Sequence, residues 1–163
     1  AIANKECLVS AGEIIMQEIK KNKVDLIPVD SEHNAIHQIF EYQNLNLINQ
    51  ITLTASGGPF LNKSLKELKN VTVEEAVNHP NWKMGRKISI DSATMMNKGL
   101  EVIEAAMIFP IRNDQIDVII HPESIIHGLV SYQDGATLAM MNPPDMKIPI
   151  SYALKINQRL KVR

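Results

Sequence analysis

Hydrophobic and polar positions along the chain follow two periods, and the switches between them mark the elements. From Ala11 to Asn22, Ile14, Ile15 and Ile19 share one helical face with Glu and Lys opposite, which predicts an amphipathic helix. The apolar run Asp25 to Val29 reads as a buried strand. Ala35, Ile36, Ile39 and Phe40 then take helical spacing in a helix starting near His33. An Asn-rich loop over 43–49 leads to a strand at 51–55 with a period of two, which runs into the break Ser56-Gly57-Gly58-Pro59. Thr72 and Glu75 have capping-box spacing and start a short helix that gives way to a loop over 79–85. Lys87 to Asp91 reads as a strand. Ser92-Ala93-Thr94 then caps a helix that buries Leu100, Ile103, Met107 and Ile108 and stops at Pro110. A short strand over 117–120 precedes a hairpin of 129–132 with 137–141 around Asp134-Gly135, and a last helix covers 148–156. No repeat, low-complexity tract or internal boundary interrupts this order. The predicted fold is one α+β domain with a mixed, largely antiparallel sheet covered by helices.

Composition narrows the function classes. The 163 residues suffice for one domain with a real core, at 45% apolar and 21% charged residues. A net charge of −1 excludes general electrostatic attraction to nucleic acid or anionic membrane, while local cationic pockets remain open. The single Cys7 excludes an internal disulfide framework and fits a reducing compartment. No apolar stretch reaches transmembrane length, and the N-terminus lacks the pattern of a secretory signal. The chain begins Ala-Ile-Ala-Asn-Lys-Glu, as if entered partway through a larger protein.

Candidate chemistry collects at the ends of the predicted strands. In an extended backbone Asp30 and Glu32 converge while Ser31 points elsewhere. Two carboxylates this close repel unless a cation or proton lies between them, and a hard divalent ion such as Mg²⁺ or Mn²⁺ is one solution. The other reading is that Asp30 or Ser31 caps the next helix and Glu32 is solvated in its first turn. Ser56 and the Gly57-Gly58 turn form either a plain turn or an anion cradle. Ser92, Asn97 and Lys98 supply a hydroxyl, an amide and a cation near a helix start. That is a phosphate set, or a cap beside a solvated pair. Glu101 lies one turn beyond Asn97 and offers a third oxygen ligand, while Glu104 reads as solvated or salt-bridged. Trp82, in a Pro/Asn/Gly loop, suits a lid or partly buried packing. His79 is a candidate phosphate donor and His127 an orienting or proton-handling group. His33, His37 and His121 read as structural.

The segments ANKE (3–6), LIPVDSEHNAI (26–36), TASGGPF (54–60), HPNWKMGRKISIDSATMMNKGLEVIEA (79–105), IHPESIIHGLVSYQDG (120–135) and PPDMKIPI (143–150) closely resemble 1-deoxy-D-xylulose 5-phosphate reductoisomerase, over essentially the whole chain. The resemblance implies the family's central catalytic domain, a fold similar to the C-terminal domain of glyceraldehyde-3-phosphate dehydrogenase-like folds. It implies rearrangement of a linear ketose phosphate followed by reduction with NADPH to 2-C-methyl-D-erythritol 4-phosphate, in non-mevalonate isoprenoid biosynthesis. A Mg²⁺, Mn²⁺ or Co²⁺ ion serves as Lewis acid. By the family pattern the metal falls to Asp30, Glu32 and Glu101. Substrate falls to Lys5, Ser31, Glu32, Ser56, His79, Trp82, Ser92, Asn97, Lys98 and Glu101, and catalysis to Lys5, Glu32, His79 and His127. Asn4, Glu6 and Gly85 match positions that approach NADPH, and Trp82 and Met84 lie in a mobile lid.

By the same pattern, residues 1–150 form the catalytic, metal- and substrate-binding domain. Residues 151–163 begin a linker toward a C-terminal helical domain. The NADPH-binding Rossmann domain precedes the ANKE segment, and this sequence contains no glycine-rich dinucleotide fingerprint. The chain alone is therefore expected to oxidise little or no NADPH. A homodimer in the bacterial cytoplasm is implied, with a plastid form left open. The competing readings are a non-catalytic metal- and phosphosugar-binding module, and a structural domain whose carboxylates are caps. A third acid on a separate helix argues against the second of these.

Overall fold

A computed structural model describes residues 1–79, 84–154 and 159. Its sheet has four strands: β1 (Ile48–Ala55), β2 (Ile116–Ile120), β3 (Ile126–Tyr132) and β4 (Thr137–Met141), in the order β2-β1-β3-β4. β1 pairs with β2 in parallel, and with β3 antiparallel; β3 pairs with β4 antiparallel. The mixed, largely antiparallel α+β sheet expected from sequence is therefore present. Apolar side chains of β1 and β3, such as Ile51, Leu53 and Val130, are fully buried against Ile36, Phe40, Ala105 and Phe109 from the helices. Full burial of side chains of this size contributes about 1.5–3 kcal/mol each, so this cluster anchors the elements that carry the polar site.

Three of the helices carry the charged groups of that site. α1 (Lys5–Asn22) begins six residues earlier than its apolar pattern indicated, because Asn4 accepts the Glu6 N–H and caps it. Its backbone kinks at Ala11, and beyond the kink Ile14 is exposed rather than buried. α2 (Ser31–Ile39) starts two residues before His33, and α6 (Met96–Ile108) crosses α1. The crossing is close: a Cβ on Gly12 would lie 2.7 Å from the Met107 Cγ. Likewise a Cβ on Gly128 of β3 would meet the Ile36 side chain at 2.6 Å, so glycine lets α2 lie directly on the sheet.

Several sequence expectations are overturned. The run 25–29 forms no sheet strand. It makes an isolated parallel bridge between Pro28 and Ile2, with Ile2 N–H donating to the Ile27 carbonyl at 2.9 Å and Val29 N–H to the Ile2 carbonyl at 2.8 Å. Residues 42–47 form a 3₁₀ turn within the expected loop. A capping box at Ser64 and Glu67, not anticipated, starts α3 (Leu65–Leu68), and the expected one at Thr72 and Glu75 starts α4 (Val73–Val77). Lys87–Asp91 is helical, within α5 (Arg86–Ala93). Its alternating Ile-Ser-Ile misled because Ser89 is the buried residue, bonding back to the Gly85 carbonyl with both N–H and hydroxyl. Ser92 consequently ends α5 instead of capping α6, whose N-cap is Met95 in the left-handed region at φ 61°. α6 also turns a different face inward: Lys98, Glu101, Glu104, Ala105 and Ile108 are buried, whereas Ile103 is exposed. α7 (Lys147–Leu154) accounts for the described part of the last helix.

Candidate functional site

At the carboxyl ends of the parallel pair β1 and β2, a cavity of about 450 Å³ opens between α2, α5 and α6. Asp30 occupies the N-cap position of α2 but makes no capping bond. Its side chain instead pairs with the Lys5 ammonium. The capping reading is thereby set aside. Lys5 is in reach because the Ile2 bridge runs the N-terminus alongside residues 27–29 and starts α1 at the cavity wall. Asp30 and Glu32 converge through a helix start and not through an extended strand. Ser31 follows the same turn, and its hydroxyl donates to Glu32 Oε2 at 2.8 Å.

Glu101 arrives from α6, and one oxygen from each of Asp30, Glu32 and Glu101 lies within 4.8 Å of the others. Two ammoniums lie against this cluster. Lys5 Nζ is 3.0 Å from Glu101 Oε1 and 2.9 Å from Asn97 Oδ1. Lys98 pairs with Glu101 and lies 3.6 Å from Glu32 Oε1. The Asn97 amide also donates to Glu101. Burial disfavours the charged form of Asp30, but Lys5 and His33 outweigh it and hold this carboxyl well below the usual range. Burial with the nearby Glu101 and Asp30 charges pushes Glu32 up to about 8, against the pull of Lys98. Burial works against Lys98 too, yet Glu32 and Glu101 raise its affinity for a proton.

The donor set fits a hard divalent cation. Among the described residues, Asp30, Glu32, Glu101 and Glu104 have Lys5, Lys98 and the His33 imidazole as their cationic neighbours, so four acids share three basic groups. The proton drawn to Glu32 is the physical sign of that shortage. Three carboxylate oxygens converging from two helices suit Mg²⁺ or Mn²⁺.

Across the cavity, Ser56 at the end of β1 and the His79 Nε2 are 2.9 Å apart, so two expected phosphate contacts meet directly. Burial lowers the His79 pKa. The Gly57-Gly58 turn has positive φ at both positions, and a Cβ on Gly58 would stand 2.6 Å from the Ser92 carbonyl. The glycines thus allow β1's end and α5's last turn to touch, which brings Ser56 and Ser92 to one wall. His127 on β3 lines the cavity, and its Nε2 donates to the Asn142 carbonyl at 3.1 Å. Burial lowers its pKa.

The cavity gathers Lys5, Asp30, Ser31, Glu32, Ser56, His79, Gly85, Ser92, Asn97, Lys98, Glu101 and His127, along with Met84. Asn4 and Glu6 stand outside it, engaged in capping α1 and pairing with Lys87. Trp82 falls outside the described residues. His121 is structural as expected, its Nε2 accepting the Ile125 and Ile126 N–H groups at 3.2 Å each. Glu104, expected to be solvated or salt-bridged, is buried and lies at ion-pair distance from His33; the sign of its burial was the Lys98, Glu101, Glu104, Ala105, Ile108 spacing along one helical face. Ser124, also on the cavity wall with φ 52°, was not singled out from the sequence, where the Pro-Glu-Ser turn after β2 was its only mark.

Fold and site together define an α+β domain whose cavity sets a carboxylate cluster that fits a hard cation beside a wall of hydroxyl, amide and ammonium groups. The family model described as 1-deoxy-D-xylulose 5-phosphate reductoisomerase C-terminal domain matches residues 26–109, and the chain belongs to that family. The sequence reading placed it as the central catalytic domain. The matching domain is the C-terminal one, and the placement is corrected accordingly. The 1-deoxy-D-xylulose 5-phosphate reductoisomerase of Clostridium tetani is 60% identical over 154 residues, which are 94% of this chain and 40% of the relative. That of a Geobacillus strain is 58% identical over 160 residues, 98% of this chain and 42% of the relative. A crystal structure of DOX-P reductoisomerase in complex with NADPH, fosmidomycin and magnesium superposes with a TM-score of 0.94 at 51% identity, over 98% of this chain and 42% of that one. The Zymomonas mobilis enzyme in complex with NADPH gives a TM-score of 0.91 at 49% identity, over 99% and 41%. The chain thus spans about two fifths of the length of these relatives. Among the described residues no helix is long and apolar enough to cross a membrane.

Proposed function

We propose that this chain is the metal- and substrate-binding part of an NADPH-dependent 1-deoxy-D-xylulose 5-phosphate reductoisomerase, which yields 2-C-methyl-D-erythritol 4-phosphate. The observation that carries this reading is the meeting of Asp30, Glu32 and Glu101 within 4.8 Å, in the cavity that also holds Ser56, His79, Ser92, Asn97 and Lys98. The three carboxylates would hold a Mg²⁺, Mn²⁺ or Co²⁺ ion, which would supply Lewis acidity to the oxygens of a ketose substrate. Lys5 and Lys98 line the same cavity and would offer their ammoniums to the substrate's oxygens. Ser31 orients Glu32 and contacts substrate. Ser56, His79, Ser92, Asn97 and Lys98 bind the polar end that bears the phosphate. With Nε2–H donated to Asn142, the neutral His127 ring presents Nδ1 as its acceptor, suited to orienting a substrate hydroxyl or taking its proton. Burial of Glu101 and Lys98 keeps water from these interactions and strengthens them.

NADPH supplies the hydride, and most of its binding falls to a Rossmann segment outside these 163 residues. Gly85, Asn4 and Glu6 are its contacts on this chain. In this reading residues 1–150 are the catalytic unit and 151–163 begin a linker. The protein works as a homodimer in the bacterial cytoplasm, in keeping with its bacterial relatives.

The test measures Mn²⁺ affinity of the chain, and NADPH oxidation by the full-length protein that contains it. Wild-type binds Mn²⁺, Asp30→Asn and Glu101→Gln lose binding and turnover, and the 163-residue chain alone turns over little or no NADPH. Unchanged Mn²⁺ affinity in both variants removes the metal assignment, and robust turnover by the isolated chain refutes the placement of the NADPH site.

A further inference from the structure

Behind the carboxylate cluster, away from the cavity, lies a buried acid that the proposed chemistry does not use. Glu104 follows Glu101 by three residues on α6, is 1% exposed and does not line the cavity. Its neighbour is His33, which is 0% exposed. The His33 Nε2 is 2.9 Å from the main-chain carbonyl oxygen of Glu101, which can only accept, so Nε2 carries a proton and donates it. On the other edge of the ring, Nδ1 is 3.3 Å from Asp30 Oδ1 and 3.5 Å from Glu104 Oε2. None of these three buried atoms makes a well-aligned hydrogen bond. Asp30's second oxygen, Oδ2, is the one paired with Lys5.

We infer that Glu104 is a positioning residue for the cation site, acting through the His33 imidazole to fix which Asp30 oxygen faces the cavity. The inference rests on the cation reading above. His33 ties the start of α2 to the backbone of α6, so it sets the separation of the two elements that supply the carboxylates. Nε2 donates to the Glu101 carbonyl, while Nδ1 lies between the Asp30 and Glu104 oxygens at ion-pair distance. Glu104 supplies the countercharge that keeps it there without consuming Asp30. Drawn to Nδ1, Asp30 Oδ1 stays turned inward and Oδ2 is left to the cavity. An unpaired buried carboxylate is costly, and the imidazole is what makes Glu104 tolerable at this depth.

The experiment is a Mn²⁺ titration of the chain by calorimetry, with circular dichroism to follow folding. The variants are Glu104→Gln, Glu104→Asp, His33→Asn and the double variant Glu104→Gln/His33→Asn. Glu104→Gln is expected to weaken Mn²⁺ roughly tenfold or more, within the range for groups that orient metal ligands, with Glu104→Asp regaining part of the loss. Because Glu104 acts through the ring, adding Glu104→Gln to His33→Asn should cost nothing further. Wild-type affinity in Glu104→Gln, or losses that add in the double variant, overturns the inference while leaving the cation site standing. Two Mn²⁺ ions per chain, one lost with Glu104→Gln, also overturns it, since Asp30, His33 and Glu104 would then bind an ion themselves. A wild-type chain that binds no Mn²⁺ refutes the cation reading and this inference with it. Should Glu104→Gln fail to fold, Glu104→Asp, with its charge kept and its reach shortened, decides: unchanged affinity overturns, a partial loss supports.

Discussion

Adding Mn²⁺ to the metal-free chain should expel a proton from Glu32. Its carboxyl sits at about 8 because burial and the Glu101 charge oppose ionisation. At pH 7 a group with that pKa holds about 0.9 proton, and a cation bound to the carboxylate must displace it. Apparent Mn²⁺ affinity should therefore fall about tenfold, or about 1.4 kcal/mol, for each pH unit below 8. Calorimetry in buffers of different ionisation enthalpy counts the released proton directly. The same shift governs stability. The folded-state pKa of Glu32 is raised above its ordinary 4.5, so its contribution is full below pH 4.5 and is lost as pH rises through 8. Burial opposes the charge on His33 but Asp30 raises its pKa from 6.5 to about 9, and this adds a loss of the same sign over that later window. Without metal, the melting temperature should decline from pH 5 to 9; with saturating Mn²⁺ the Glu32 part of that decline should vanish. Zero proton release at pH 7 together with pH-independent affinity would refute the account of the cluster.

Three further outcomes follow from packing and charge. Gly128→Ala places a Cβ 2.6 Å from Ile36 and 3.3 Å from the Glu32 carbonyl, so α2 must shift. A loss of about 1–3 kcal/mol in urea unfolding is expected, with weaker Mn²⁺ binding because Glu32 moves too. Gly58→Ala meets both a φ of +69° and the Ser92 carbonyl at 2.6 Å. It should lower the melting temperature, by more than about 1 kcal/mol in stability, and weaken inorganic phosphate binding measured by ³¹P NMR. Lys98→Met strips a buried cation from Glu101 and Glu32, destabilising the metal-free chain by about 3–5 kcal/mol in denaturant melts; Mn²⁺ should restore part of it.

Much of the site was legible in the sequence because its residues come in short, chemically dense segments. Residue type and spacing marked Asp30, Glu32 and Glu101 as a candidate cation set and Ser92, Asn97 and Lys98 as a candidate phosphate set, each beside a capping alternative that only the family resemblance weighed against, and the structure brings them to one cavity. The hairpin, the Thr72 capping box and strand β1 were likewise fixed by local pattern and turn chemistry. What local pattern could not decide was direction. The Ile-Ser-Ile alternation of 87–91 fits a strand or a helix equally, and the Gly85 carbonyl waiting for Ser89 settled it as a helix. Apolar Ile103 on α6 pointed to a buried face, yet the ion pairs with Lys5, Lys98 and His33 compensate a charged one, so Glu101 and Glu104 go inside. By itself the sequence determined which chemical groups the protein carries and that its sheet is mixed. Only the tertiary structure decided that Asp30 is no cap, that Lys5 reaches it from the N-terminus, and that Glu104 stands behind the cluster. Those outcomes depend on the burial and charge balance of residues as far as 96 positions apart in the chain, which no local period encodes.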